Sequence, residues 1–162
     1  MNKILVIGCP GSGKSTFARA LGEKINVPVY HLDNLYWNAD KTTVESNEFD
    51  IRLREVLKND RWIIDGNFSR TMETRLKHAD TVYFLDLPSD VCLESVRNRI
   101  GTVRPDIPWV EEAEDEEFMD YIRNFSETRT PKIMELFALY PDKEYIVFKA
   151  RYDVERYIDE LN

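Results

Sequence analysis

Cationic residues are in short supply: 22 Lys and Arg stand against 30 Asp and Glu, for a net charge of −8 across the 162 residues. Affinity for duplex DNA comes mainly from Lys and Arg neutralising phosphates, so direct DNA binding is not expected. No apolar stretch approaches the length of a membrane span, and the N-terminus runs straight into a strand pattern without a cleavable leader. The expected setting is therefore the cytoplasm, with no membrane partner. Cysteine is scarce too. Cys9 and Cys92 are far apart and lack metal-ligand spacing, so neither a zinc site nor a disulfide framework is expected, and both are read as reduced. Repeats and low-complexity linkers are missing, which predicts a single domain over 1–162.

What is present begins at residue 8. GCPGSGKST has Gly8, four residues, then Gly13, Lys14 and Ser15, the G-x-x-x-x-G-K-[ST] spacing of a phosphate-binding loop. Glycines at 8, 11 and 13 let the backbone curl so that its N–H groups point at phosphate oxygens, with Pro10, Ser12 and Thr16 completing the loop. Lys14 supplies a cation for the outer phosphates, Ser15 a hydroxyl for Mg²⁺, and the helix that follows points its positive end at the same anion. ATP and Mg²⁺ are the expected cofactors.

Short β-branched and aromatic runs predict strands at 3–7, 27–32, 61–65, 81–87 and 144–148. Between them lie helical patterns, including four before residue 100 and one long segment over about 116–139. Alternation of this kind means an α/β fold with a parallel sheet covered on both faces, and its ligands bind at the carboxyl ends of the strands. The acidic run EEAEDEE at 111–117 reads as a solvated helix start.

Two carboxylates fall at those strand ends. The second strand runs into HLDNLYW, which puts Asp33 on the rim with Tyr36 and Trp37 as ring platforms. Asp33 can take a proton from an acceptor hydroxyl, help order Mg²⁺, or simply cap the next segment. The third strand ends in WIIDGNFSRT, where Asp65 can hold the water shell of the Mg²⁺ bound by Ser15.

GCPGSGKST, LDNLYW, WIIDGNFSRT and HADTVYFLDLP together resemble the nucleoside-monophosphate-kinase-like group of P-loop proteins, adenylate kinase and shikimate kinase among them. Within that group the chain is most similar to the DNA topology modulation protein family, matched by Asp65 to Asn67, Leu32 to Trp37, Ala79 to Asp86 with Cys92, and Arg104 to Asp106. The resemblance covers essentially the whole chain. It implies a three-layer sandwich around a five-stranded parallel sheet in order 2-3-1-4-5. It further implies ATP on the loop, a small acceptor-binding insert at about 34–60, and a lid at about 100–117 following the fourth helix. Kinases of this group neutralise the transferring phosphoryl with arginines, and the candidates are Arg99, Arg104 and Arg129. Adenylate kinase has D-G-F-P-R-T after its third strand. This chain carries one more residue before Arg70, which moves the acceptor-binding role to Arg75, beside Asp33, Trp37 and Asp65.

Two functions follow from these residues. One is transfer of the γ-phosphoryl group of Mg-ATP to a small-molecule acceptor, either a nucleoside monophosphate or a hydroxyl metabolite, with Lys14, Asp33, Arg99, Arg104 and Arg129 as the catalytic set. The alternative is a nucleotide-dependent regulator linked to DNA topology, without turnover. A GTP switch is set aside because the N-K-x-D base-reading motif is missing.

Overall fold

The structure, a computed structural model, is described over residues 1–161. Five strands form the central layer: β1 (Lys3–Gly8), β2 (Val29–His31), β3 (Trp62–Asp65), β4 (Thr81–Leu85) and β5 (Glu144–Phe148). Every neighbouring pair is parallel, and the order is β2-β3-β1-β4-β5. β1 is central because it is apolar on both faces: Ile4 to Ile7 are fully buried. Its side chains alternate between layers with the period of two that a strand imposes. Leu5 and Ile7 join one core cluster, Ile4 and Val6 the other.

The helices divide accordingly. α1 (Lys14–Ile25) and α9 (Arg151–Glu160) cover one face. There Phe17, Tyr83, Phe148 and Tyr157 make a ring cluster with centroids 5.0–6.4 Å apart. Tyr83 and Tyr157 share a hydroxyl hydrogen bond of 2.8 Å, which fastens α9 to the sheet. On the opposite face lie α3 (Ser46–Leu57), α4 (Ser69–His78), α5 (Ser89–Arg99), α6 (Glu116–Arg123), α7 (Phe125–Thr128) and α8 (Thr130–Ala138), and each contributes buried apolar residues to the larger cluster. None of the helices described is long and apolar enough to cross a membrane.

Three expectations are modified. Residues 32–36 leave the second strand and form a helix of their own, α2 (Leu32–Tyr36), so the lid follows the fifth helix. The long segment over 116–139 is three helices, because Asn124 departs from helical geometry (φ −97°, ψ 0°) and Pro131, which has no N–H to donate, opens α8. The acidic run is not uniformly solvated. Asp115 caps α6 by accepting from the Glu117 and Phe118 amides at 3.0 and 3.2 Å, while Glu111 turns inward to two arginines.

The ring cluster gives a stability test. Phe17 is 2% exposed, and Phe17→Ala is expected to cost about 3–5 kcal/mol in urea unfolding, against about 0.5–1.5 kcal/mol for Tyr157→Phe, which removes only the hydroxyl bond.

Candidate functional site

The strand order reverses at β1, so its carboxyl end opens between the loops that follow β3 and β4, the place where ligands sit in such sheets. A cavity of about 520 Å³ lies there. One wall is the loop from Gly8 to Thr16. Its Gly11 has φ +82°, and a Cβ at that position would overlap the Cys92 carbonyl oxygen on α5, so only glycine fits. Gly13 occupies the N-cap of α1 in the left-handed region, with no side chain capping the first turn. The free N–H groups and positive helix end therefore face the cavity.

Lys14 reaches back to the Cys9 carbonyl at 3.3 Å. Burial lowers the pKa of its ammonium group, opposed by the charges of Asp65 and Asp33. The Ser15 hydroxyl lies 3.3 Å from His31 Nδ1, and the same nitrogen hydrogen-bonds the Asp65 carboxylate. Ser15 and Asp65, the pair expected to serve Mg²⁺, thus converge on one imidazole. Mg²⁺ takes few protein ligands and completes its shell with water and substrate phosphates, which a hydroxyl and one carboxylate suit. Ser12 Oγ and Arg99 Nε are among the buried polar atoms with no partner in the described residues. Arg99 lines the cavity and Ser12 lies in the phosphate loop, and such orphans fit an incoming anion.

Asp33, at the second residue of α2, lines the same cavity as Lys14 and Asp65. Burial pushes its carboxyl pKa up to about 6. Lys14 opposes that shift, and Asp65 and Asp106 reinforce it. Arg99 and Arg104 line the cavity from the α5 end and the lid. Neither is free: Arg99 pairs with Glu111 at 3.2 Å, and Arg104 pairs with Asp106 and with Glu111 at 2.7 Å. Burial and the charge of Arg104 lower the Arg99 pKa. The lid is docked. Asn34 Nδ2 donates to the Pro105 carbonyl at 2.7 Å, Trp109 meets Trp37 edge to face at 5.9 Å, and Lys41 lies over the Trp109 ring.

Five expected site residues do not line this cavity: Gly8 and Ser12, which belong to the loop itself, and Arg75, Trp37 and Arg129. Arg75 is corrected from an acceptor ligand to a structural group. It is fully buried, and its guanidinium donates to the backbone carbonyls of Gly66, Asn67 and Phe68 and to Thr71 Oγ1. Burial brings its pKa down to about 9, with Asp65 opposing, so the charge is kept at neutral pH and held by those carbonyls. Trp37 packs against Tyr36 and Trp109 rather than presenting a ring to a ligand. Arg129 hydrogen-bonds Ser69 on α4, outside the lining.

Several lining residues are not foreseen by the motifs. Arg151, at the start of α9, donates to Ser95 Oγ at 2.9 Å and to the Gly11 carbonyl at 3.3 Å, 140 residues away in sequence. Arg19 reaches Ser15 Oγ at 3.3 Å, one helical turn on, a spacing the sequence does contain. Asn67 joins through both ends of its amide, to Gly8 N–H at 3.2 Å and Gly8 C=O at 2.8 Å. His31, the first residue of HLDNLYW, lies behind the lining and holds Ser15 and Asp65.

The family model described as AAA domain matches residues 4–120. The chain belongs to the AAA domain family. Among the relatives of this AAA domain, the uncharacterized protein YqaC of Bacillus subtilis is 34% identical over 102 residues, 59% of this chain and 55% of that protein. The chain thus spans about half the length of the curated relative it matches. Shikimate kinase from Bacteroides thetaiotaomicron superposes with a TM-score of 0.61 at 26% identity, over 98% of this chain and 94% of that one. Shikimate kinase from Acinetobacter baumannii, solved in complex with shikimate, gives 0.64 at 18% identity over 99% and 90%, a likeness of fold alone. These likenesses support the P-loop NTPase and kinase-like superfamily. They lend nothing to the narrower resemblance to topology modulation proteins.

Arg75→Ala is expected to destabilise the AAA domain by about 3–5 kcal/mol, since it empties a fully buried guanidinium site and leaves the Gly66 and Asn67 carbonyls without their donor. An acceptor ligand would behave otherwise, raising the acceptor KM with thermal stability unchanged. Differential scanning fluorimetry separates the two.

Proposed function

We propose that this chain is a phosphotransferase that moves the γ-phosphoryl group of ATP to a small-molecule acceptor, working as one unit in which residues of about 34–60 and 100–117 enclose the acceptor. The observation that carries this reading is that Asp33, a carboxylate with raised proton affinity, shares one cavity with the phosphate loop. A protein that only sequesters nucleotide has no use for a proton acceptor opposite Lys14. The fold shared with shikimate kinases supports the same reaction class.

The backbone amides of Gly11 to Thr16 hold the β- and γ-phosphates, and Lys14 follows the charge that develops on the leaving oxygen. Ser15 and Asp65 would hold Mg²⁺, which would supply charge neutralisation for the transferring phosphoryl group. Arg99, whose Nε has no partner, lines the cavity with Arg104 and Arg151, and these would neutralise the transferring group. Asp33 orients the acceptor hydroxyl and takes its proton. His31 fixes the Asp65 carboxylate and the Ser15 hydroxyl relative to each other. Arg129 and Trp37 act at a distance, through the Ser69 end of α4 and through the docked lid.

Asp33 makes the reading testable in two independent ways. As the proton acceptor it must be ionised, so acceptor kcat/KM is expected to rise with pH through about 6 and then level off. Its raised pKa also carries a stability consequence. Ionised Asp33 is penalised in the fold but not in the unfolded chain, so the penalty is absent below about pH 4 and complete above about pH 6. Asp33→Asn should therefore lose turnover by at least a hundredfold while gaining roughly 1–3 kcal/mol of stability at pH 7, and nothing at pH 4. Turnover retained in that variant, followed as ADP release, would remove Asp33 from the chemistry.

A further inference from the structure

Resting on the phosphotransfer reading above, we infer that the acceptor is an uncharged, ring-bearing polyol, disfavoured from carrying a phosphate or carboxylate because the arginines around its end of the cavity are already matched. An anionic acceptor needs a free cation at its own end of the cavity, separate from those that hold ATP. Four arginines around that end are committed. Arg104 gives Nε and Nη2 to Asp106 and Nη1 to Glu111. Arg75 is sequestered by backbone carbonyls. Arg70 is held by Asp50 at 2.8 and 3.1 Å, and Arg52 by Glu48 and the Leu35 carbonyl, and neither lines the cavity.

Of the cavity's carboxylates, Asp106 is matched by Arg104 and Asp65 by His31, which leaves Asp33. Asp33, Asp65 and Asp106 all line the cavity. Asp106 is 6% exposed, and its carboxyl is held below the usual range by Arg104, which outweighs the opposing effect of burial. Asp33 carries no such partner among the described hydrogen bonds. A second anion would lie beside both the phosphates of ATP and the unpartnered Asp33 carboxylate. A cationic acceptor would compete with Lys14 for Asp33.

The remaining wall is aromatic. Phe68 lines the cavity with φ +29°, a left-handed value that a phenylalanine adopts only under constraint, and its carbonyl accepts from Arg75 at 3.2 Å and from the Thr71 amide at 3.0 Å. Tyr36 and Phe49 fix the ring at centroid distances of 5.0 and 5.4 Å. With Phe118 and Tyr121 it offers an apolar surface for the flat face of a sugar, cyclitol or nucleoside. The acceptor hydroxyl oxygen forms a bond to the γ-phosphorus while the bond from that phosphorus to the β–γ bridging oxygen breaks. ADP leaves with the bridging electron pair, and the hydroxyl proton passes to Asp33.

The test is ADP release from Mg-ATP by the full chain, with Lys14→Ala as blank, across matched sets: a nucleoside, its 5′-monophosphate and its 5′-amine, and a cyclic polyol with its carboxylate and amine counterparts. The uncharged member of a set is expected to be turned over at least tenfold faster than its charged counterparts. A charged member turned over fastest overturns this inference and leaves phosphotransfer standing. Mg-ATP binding without stimulation by any member overturns phosphotransfer itself, and the inference with it. Asp106→Asn provides the second arm. It releases two nitrogens of Arg104, so KM for the anionic counterpart is expected to fall about tenfold relative to that for the uncharged one. An unchanged ratio would remove the matched arginine as the source of the selectivity.

Discussion

The pair of hydrogen bonds between the Asn67 side chain and the Gly8 backbone fixes the geometry of everything around the cavity. Gly8 is the last residue of β1 and the first of the phosphate loop, so the sheet ladder stops where the loop begins. A primary amide presents one donor and one acceptor side by side, and Asn67 extends the ladder by one step in place of a strand. The turn that carries Asn67 is itself held by Arg75, whose guanidinium satisfies carbonyls that would otherwise be buried without donors. Loop, turn and α4 therefore form one stiff unit. The loop's amides are preorganised because their anchor is anchored.

That unit explains why a charged residue sits at the bottom of the larger core. An unpaired buried guanidinium would be costly, yet here the charge does what a neutral donor could not, serving several carbonyls in one plane. Phe68, whose carbonyl shares that contact, lines the cavity. Core and site are thus not separable in this region. A residue that looks like binding machinery from its chemistry holds the backbone on which the lining is displayed.

The sheet, its order and the phosphate loop were legible in the sequence because each rests on local signals: apolar runs of strand length, glycines at fixed offsets, and a family resemblance spanning the chain. Asp33 and Asp65 were legible for the same reason, as acids at the ends of apolar strands. Arg75 was misassigned because an arginine spaced like an acceptor ligand gives no sign of whether its partners are a phosphate or three carbonyls. Arg151 lay beyond reach, since its approach to Gly11 depends on how α9 settles on the Tyr83 and Tyr157 pair. Glu111 vanished into an acidic run whose composition favours solvent, and only the docked lid brings it between two arginines. Local pattern fixes which elements exist, whereas charge pairing across the cavity depends on contacts between segments far apart in the chain.

The edge-to-face contact of Trp37 with Trp109 joins the segment after α2 to the lid. Trp62, the remaining tryptophan, is fully buried in β3, away from that contact. Two indoles at 5.9 Å couple their electronic transitions, and that coupling weakens steeply with separation. The protein thereby carries an intrinsic optical gauge of this one contact, with Trp62 as internal reference. Near-ultraviolet circular dichroism of the unlabelled chain reports whether the two segments stay together, without any dye attached.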